Sequence, residues 1–253
     1  MDPDNDTTLQ PVSPKNCVQR LIGICMEPTE TMLDIAQRPT WLFPLILSLL
    51  LVSIPLVLNV ERVPRELRVR AQAEQAGRFS SSVDTKKLEE QMLARSETTW
   101  TKYTSIPLIF VFGFLATLAI AGILLGALLI SGCQLTYKNT LAAYCWTGIP
   151  PLLVMTLLAV LFLFLKDPGD LNPLDPMSNI ISHLGVLVDA KATPVLHSAL
   201  SSLDIFSFWR IFLLGLGLSL ATFEKTSLQK GITIVVVLWF IYVLGKVGLA
   251  AIF

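Results

Sequence analysis

The run Gly231–Phe253, GITIVVVLWFIYVLGKVGLAAIF, holds 23 residues and a single charge, Lys246. As a helix it would rise about 34 Å at 1.5 Å per residue, enough to cross a hydrocarbon core about 30 Å thick. Upstream, Ser201–Phe223, SSLDIFSFWRIFLLGLGLSLATF, repeats the pattern, with Asp204 at its edge and Arg210 inside. Scanning outward yields five such segments: Trp41–Asn59, Ser105–Ser131, Leu141–Leu165, Ile205–Phe223 and Ile232–Phe253. None contains Asp, Glu or His. Five helices of this kind would leave almost no polar face for water, so a soluble helical core is excluded. The fold class is all-α: a polytopic membrane bundle of five transmembrane helices with interfacial amphipathic helices.

Composition agrees. Of 253 residues, 53% are hydrophobic and 15% charged, against about a quarter charged in an ordinary soluble domain. Mean hydropathy is +0.64. Net charge is zero, so no global basic field points to nucleic acid. Cys17, Cys25, Cys133 and Cys145 form no C-x-x-C pair and lack His at ligand spacing, so neither zinc nor a disulfide framework is indicated. No cofactor is expected.

The domain division reads as a disordered acidic, Pro-rich tail over 1–15, amphipathic helices over 16–40 and the five-span domain over 41–253. The tail lacks the basic residues and apolar core of a cleavable signal. In 16–40, Val18, Leu21, Ile22 and Cys25 share one stripe, and Met32, Leu33 and Ala36 another. Pro28 suits a first helical turn, and Pro39 should stop the second helix. These helices suit the membrane surface, or a partner's helix. QLTYKNT and EKTSLQKG are short polar turns, so spans two and three, and four and five, should form antiparallel hairpins. Val60–Thr104 carries nine Lys/Arg and seven Asp/Glu and reads as a surface helix leading into span two. In PVLHSALSSL, Val195, Leu196, Ala199, Leu200 and Leu203 fall on one face of a helix too short to span.

Small residues four apart permit close helix approach in lipid: Gly122 with Gly126, Gly215 with Ser219, and nearby Gly245 and Gly248. The approach can lie within the chain or in a homo-oligomer. Pro150 and Pro151 should kink span three and free carbonyls.

Antiparallel pairing of the last two spans would bring Arg210 and Lys246 to one side of the bilayer at similar depth, with Asp204 beside them. Both suit snorkelling anchors. They also suit an anion or lipid-headgroup site formed by Arg210, Lys246 and Asp204. Enzyme chemistry finds no support. No span has a carboxylate pair, the histidines His183 and His197 lie in a polar connection, and Asp167, Asp170 and Asp175 lack EF-hand spacing.

The strings RLIGICMEPTETMLDIAQRPTWLFPLIL, YKNTLAAYCWTGIPPLL, SSLDIFSFWRIFLLGLGLSLA and ITIVVVLWFIYVLGKVGLAAIF resemble the YIP (Ypt-interacting protein) domain family in its bacterial form. The resemblance covers most of the chain from Arg20 onward, except the charged loop. It implies five membrane helices and an N-terminal region facing the cytosol. Eukaryotic members are membrane adaptors for Rab-type GTPases, so the implied role is a scaffold or adaptor with no catalytic chemistry. Its partners would be the bilayer and membrane or membrane-associated proteins, met through Arg20–Gln37 and the loop Arg62–Arg95. The alternative is a lipid-handling or small-solute permease with a cavity near Lys246. The Lys/Arg count runs against the implied orientation: six on the N-terminal side (Lys15, Arg20, Arg38, Lys138, Lys225, Lys230) and eleven opposite.

Overall fold

The computed structural model describes residues 12–79, 84–95, 97–98, 102–189, 192–222 and 227–252. Most of the tail expected over 1–15, namely 1–11, lies outside them. Ten α-helices are described: α1 Cys17–Met26, α2 Pro28–Gln37, α3 Leu42–Arg62, α4 Arg65–Phe79, α5 Thr85–Ala94, α6 Ser105–Ile130, α7 Tyr137–Leu165, α8 Pro194–Leu200, α9 Ile205–Ala221 and α10 Leu228–Ile252. Among the described residues there is no strand, only an isolated bridge between His183 and Asp204.

Among the described residues, four helices are long and apolar enough to cross a membrane: α3, α6, α7 and α10. The fifth expected span, α9, has 17 residues and rises about 25 Å, short of a core about 30 Å thick. Its ends are set by hydrogen bonds. Asp204 Oδ1 accepts the Phe206 and Ser207 amides at the start, and the Thr222 amide turns back onto Leu218 and Ser219 carbonyls at the end. From Leu213 to Thr222 every residue is buried, so this end of the helix is clad in protein, while Ile205, Phe208 and Phe212 at the other end are exposed.

The chain forms two compact units, one comprising 1–45, 117–150 and 210–238, the other 46–116, 151–209 and 239–253. In the first, α6 is followed by a turn at Gly132, whose φ of +78° is the left-handed conformation glycine tolerates. The Cys133 amide then reaches the Leu128 carbonyl, and Lys230 Nζ donates to the Ser131 carbonyl at 2.6 Å. The hairpin of α9 and α10 is tight. A Cβ on Gly231 would lie 2.6 Å from the Gly215 carbonyl oxygen and 3.5 Å from Ser219 Cβ. At Gly217 it would meet Met32 Sδ at 3.1 Å and Thr147 Cγ2 at 3.3 Å, so α2, α7 and α9 converge there. At Gly122, Gly126, Gly245 and Gly248 it would meet nothing within 4 Å.

In the second unit, Val63, Leu163 and Leu171 form one apolar cluster and Ala159, Ile180 and Phe206 another. The charged loop is two helices, α4 and α5, packed on each other. The stretch SSSVDTKKLEEQMLARSETTW, with its Ser and Asp caps, is the one the sequence marks as a surface helix, and α5 lies within it, capped by Asp84; α4 is the addition. Arg65 holds α5 by donating to the carbonyls of Met92 at 2.9 Å and Leu93 at 3.3 Å.

Proline is accommodated inside two spans. Helix α7 continues through Pro150 and Pro151. In α3, Pro55 has no N–H, which leaves the Leu51 carbonyl without its helical donor. Thr156 Oγ1 supplies one at 3.2 Å. Thr156→Val should therefore lower stability by about 1 kcal/mol, while Thr156→Ser should not. Melting of the purified protein in detergent checks this, and equal melting of the two variants would contradict it.

Candidate functional site

In the first unit, α1 and α2 form a hairpin built around charge. Asn16 and Gln19 form a reciprocal capping box that starts α1, and Pro28 starts α2 at N1. The two helices meet at Gly23, where a Cβ would fall 2.3 Å from Thr31 Oγ1. Lys15 Nζ reaches the junction of the two helices, donating to Glu27 at 3.2 Å and Thr31 Oγ1 at 3.1 Å.

Between the helices lies a buried ion-pair network. Arg20 is 4% exposed and Asp34 is fully buried. Arg20 Nε donates to Asp34 Oδ2 at 2.7 Å, and Arg38 Nη1 donates to Asp34 Oδ1 at 2.7 Å. The remaining Arg20 nitrogens donate to Thr40 Oγ1 at 2.7 Å and to the Arg38 carbonyl at 3.1 Å. Trp146 of α7 completes the enclosure. Its Nε1 donates to the Thr40 carbonyl at 2.7 Å, and its ring centroid lies 5.8 Å from the Arg20 guanidinium. Asn139 Nδ2 takes the Ala36 carbonyl near the end of α2. With both Asp34 oxygens held in ion pairs and the carboxylate shut off from solvent, this network fixes the shape of the hairpin.

The network leaves one face of α1 uncovered. Val18, Ile22 and Met26 are 62%, 59% and 78% exposed, and they sit at i, i+4 and i+8. Three members of the expected stripe, Val18, Ile22 and Cys25, thus point outward. The α2 stripe is the opposite case, with Met32 and Ala36 buried.

The two cations of the apolar segments, Arg210 and Lys246, each have their own neighbours. Arg210, in the first unit, has its guanidinium 4.7 Å from the Tyr144 ring centroid, beside Gly148. Lys246, in the second unit, donates to Ser201 Oγ at 2.8 Å and Ser202 Oγ at 3.4 Å. Both hydroxyls in turn donate to the Ser198 carbonyl, so the ammonium ends a short chain of hydrogen bonds after α8. Asp204 is occupied as the N-cap of α9, with Oδ2 accepting from the Ser207 hydroxyl. His183 lies in the same neighbourhood, edge-on to His197 with centroids 6.1 Å apart. Burial pushes the His183 pKa down, His197 and Lys246 reinforce that and Asp204 opposes it, so the imidazole stays neutral at pH 7.

Asp34 was not singled out from the sequence. Its signal was faint: an acid on the buried stripe of α2, four residues before Arg38. Arg20 stands 14 residues away, at a distance no periodicity reports.

The Yip1 domain family matches residues 22–249, nearly the whole chain. The chain belongs to the Yip1 domain family. No curated protein and no solved structure matches it. The buried hairpin network falls largely inside the Yip1 domain, as do all the helices able to cross a membrane. This Yip1-domain chain is a multi-pass integral membrane protein.

Proposed function

We propose that this Yip1-domain protein is a membrane scaffold or adaptor without chemistry of its own, and that its α1–α2 hairpin receives an amphipathic helix of a membrane-associated protein. The carrying observation is the Val18–Ile22–Met26 row on a hairpin locked by the Arg20–Asp34 pair. Eight residues of helix space the outer anchors about 12 Å apart, the scale on which helix-in-groove recognition sets its contacts.

A protein occupant is favoured over the lipid surface by charge. Helices that lie in the headgroup layer carry Lys and Arg on their polar face. The one cation of α1 is Arg20, buried against Asp34, and neighbouring Lys15 is tied to Glu27. Little free positive charge remains to meet anionic lipid. A photo-crosslinking residue at Ile22 in native membranes should yield an adduct that maps to an apolar-faced helix of one protein, and Val18→Asp should abolish it. Adducts to lipid alone, or to a second copy of this chain, would overturn the assignment of this face.

A further inference from the structure

A second place carries unspent charge, and it is independent of the adaptor reading. In the second unit, a cavity of about 490 Å³ opens where α3 ends and α6 begins, walled by the α4–α5 pair. That volume is in the range of small-ligand sites. Four cations line it, Arg65, Arg68, Arg95 and Lys102, against one acid, Glu97. Its floor is apolar, with Leu56 and Val60 from α3 and Leu108 from α6.

Some of that charge is satisfied internally. Arg65 braces α5 through main-chain carbonyls, Arg68 Nη2 donates to Glu97 Oε1 at 2.9 Å, and Lys102 Nζ donates to Glu61 Oε2 at 2.8 Å. The hydrogen bond to Glu61 holds the Lys102 pKa above its ordinary value, so it remains a cation. Two buried polar atoms in the lining are nonetheless without partners among the described residues: Arg68 Nε, a donor, and Asn59 Oδ1, an acceptor. Arg68 is only 11% exposed at its side chain, so that donor is cut off from bulk water. Buried polar atoms are paired in the great majority of cases, and an orphan donor and an orphan acceptor on residues lining one cavity ask for a ligand that has both functions.

We infer that this cavity binds a phosphate ester bearing a free hydroxyl, seated at the membrane boundary with its phosphate on Arg68 and Arg95 and its hydroxyl toward Asn59. Phosphate oxygens supply what Arg68 Nε lacks, and an excess of cations in a walled cavity concentrates anions. The apolar floor, continuous with two spans, suits an acyl-bearing source such as an anionic phospholipid headgroup. A free polyol phosphate offers the same polar chemistry without the tail.

The test uses the full chain purified in a neutral detergent and reads the thermal shift on titration. The probes are dioleoyl phosphatidylglycerol, glycerol 3-phosphate and dioleoylglycerol. A shift with phosphatidylglycerol, weakened about tenfold or more in Arg68→Gln/Arg95→Gln, supports the site and a lipid source. A shift with glycerol 3-phosphate, weakened by the same pair, supports the site and a soluble source. Arg70→Gln should bind as the parent does, because Arg70 is exposed on α4 and pairs with Glu74 outside the cavity. Should Arg68→Gln disturb folding, Arg95→Gln alone, at an exposed side chain, carries the test. Equal response to dioleoylglycerol, no response to either phosphate, undiminished binding by the arginine variants, or equal loss in Arg70→Gln would each overturn the inference.

Discussion

Asp34→Ala should lower stability by about 3–5 kcal/mol, the cost of leaving a buried charge without its counter-ion. The stranded charge is Arg20, enclosed by Thr40 and Trp146 with 4% of its surface exposed. Arg38 behaves differently. Its side chain is 43% exposed and can turn to water, so Arg38→Ala should cost under about 1 kcal/mol. The double replacement Arg20→Met with Asp34→Leu separates charge from volume. Removing both charges together should restore most of the loss, since apolar pairs of similar size replace buried ion pairs at little cost. Melting in detergent and hydrogen exchange over 17–37 read the effect. Parent-like melting of Asp34→Ala, or a double variant worse than Asp34→Ala, would show that the pair is not what holds the hairpin.

This contrast marks what the sequence could express. The spans were legible because lipid demands about 20 apolar residues in a row, a local and continuous signal. The break at Pro28 and the stop before Pro39 were legible for the same reason, being set by backbone chemistry at single positions. Apolarity alone does not say what faces a helix, however. The run Ile205–Phe223 resembles the other spans in composition, yet its described helix stops at Ala221 and is buried from Leu213 onward.

Pairings across sequence were illegible for a different reason. Arg20 finds Asp34 across a turn, and Arg65 finds carbonyls of Met92 and Leu93 nearly 30 positions away. No period of 3.6 encodes such partners. The nine cations of Val60–Thr104 therefore read as a solvated face, although four of them wall one cavity. Arg210 and Lys246 were conspicuous only because lipid makes any cation conspicuous, and each meets neutral groups, Tyr144 in one case and two serine hydroxyls in the other.

The small-residue positions turn the same ambiguity into a measurement. Gly231→Leu should cost about 1–3 kcal/mol or more, because the new side chain must start 2.6 Å from a backbone carbonyl oxygen that cannot swing aside. The reciprocal site is as tight: a Cβ on Gly215 would lie 2.9 Å from Ile232 Cα. Either substitution forces α9 and α10 apart, and in lipid, where close packing drives association, little else compensates. Gly126→Leu makes the control. Its Cβ meets nothing within 4 Å, so the monomer should keep its melting temperature or gain slightly from better helix propensity. If Gly122 and Gly126 instead serve contact between copies, Gly126→Leu should abolish an oligomer seen by light scattering while leaving the fold intact. Parent-like melting of Gly231→Leu, or an equal fall in Gly126→Leu, would mean that the glycine spacing does not sort the helix faces as the geometry at Gly215 and Gly231 requires.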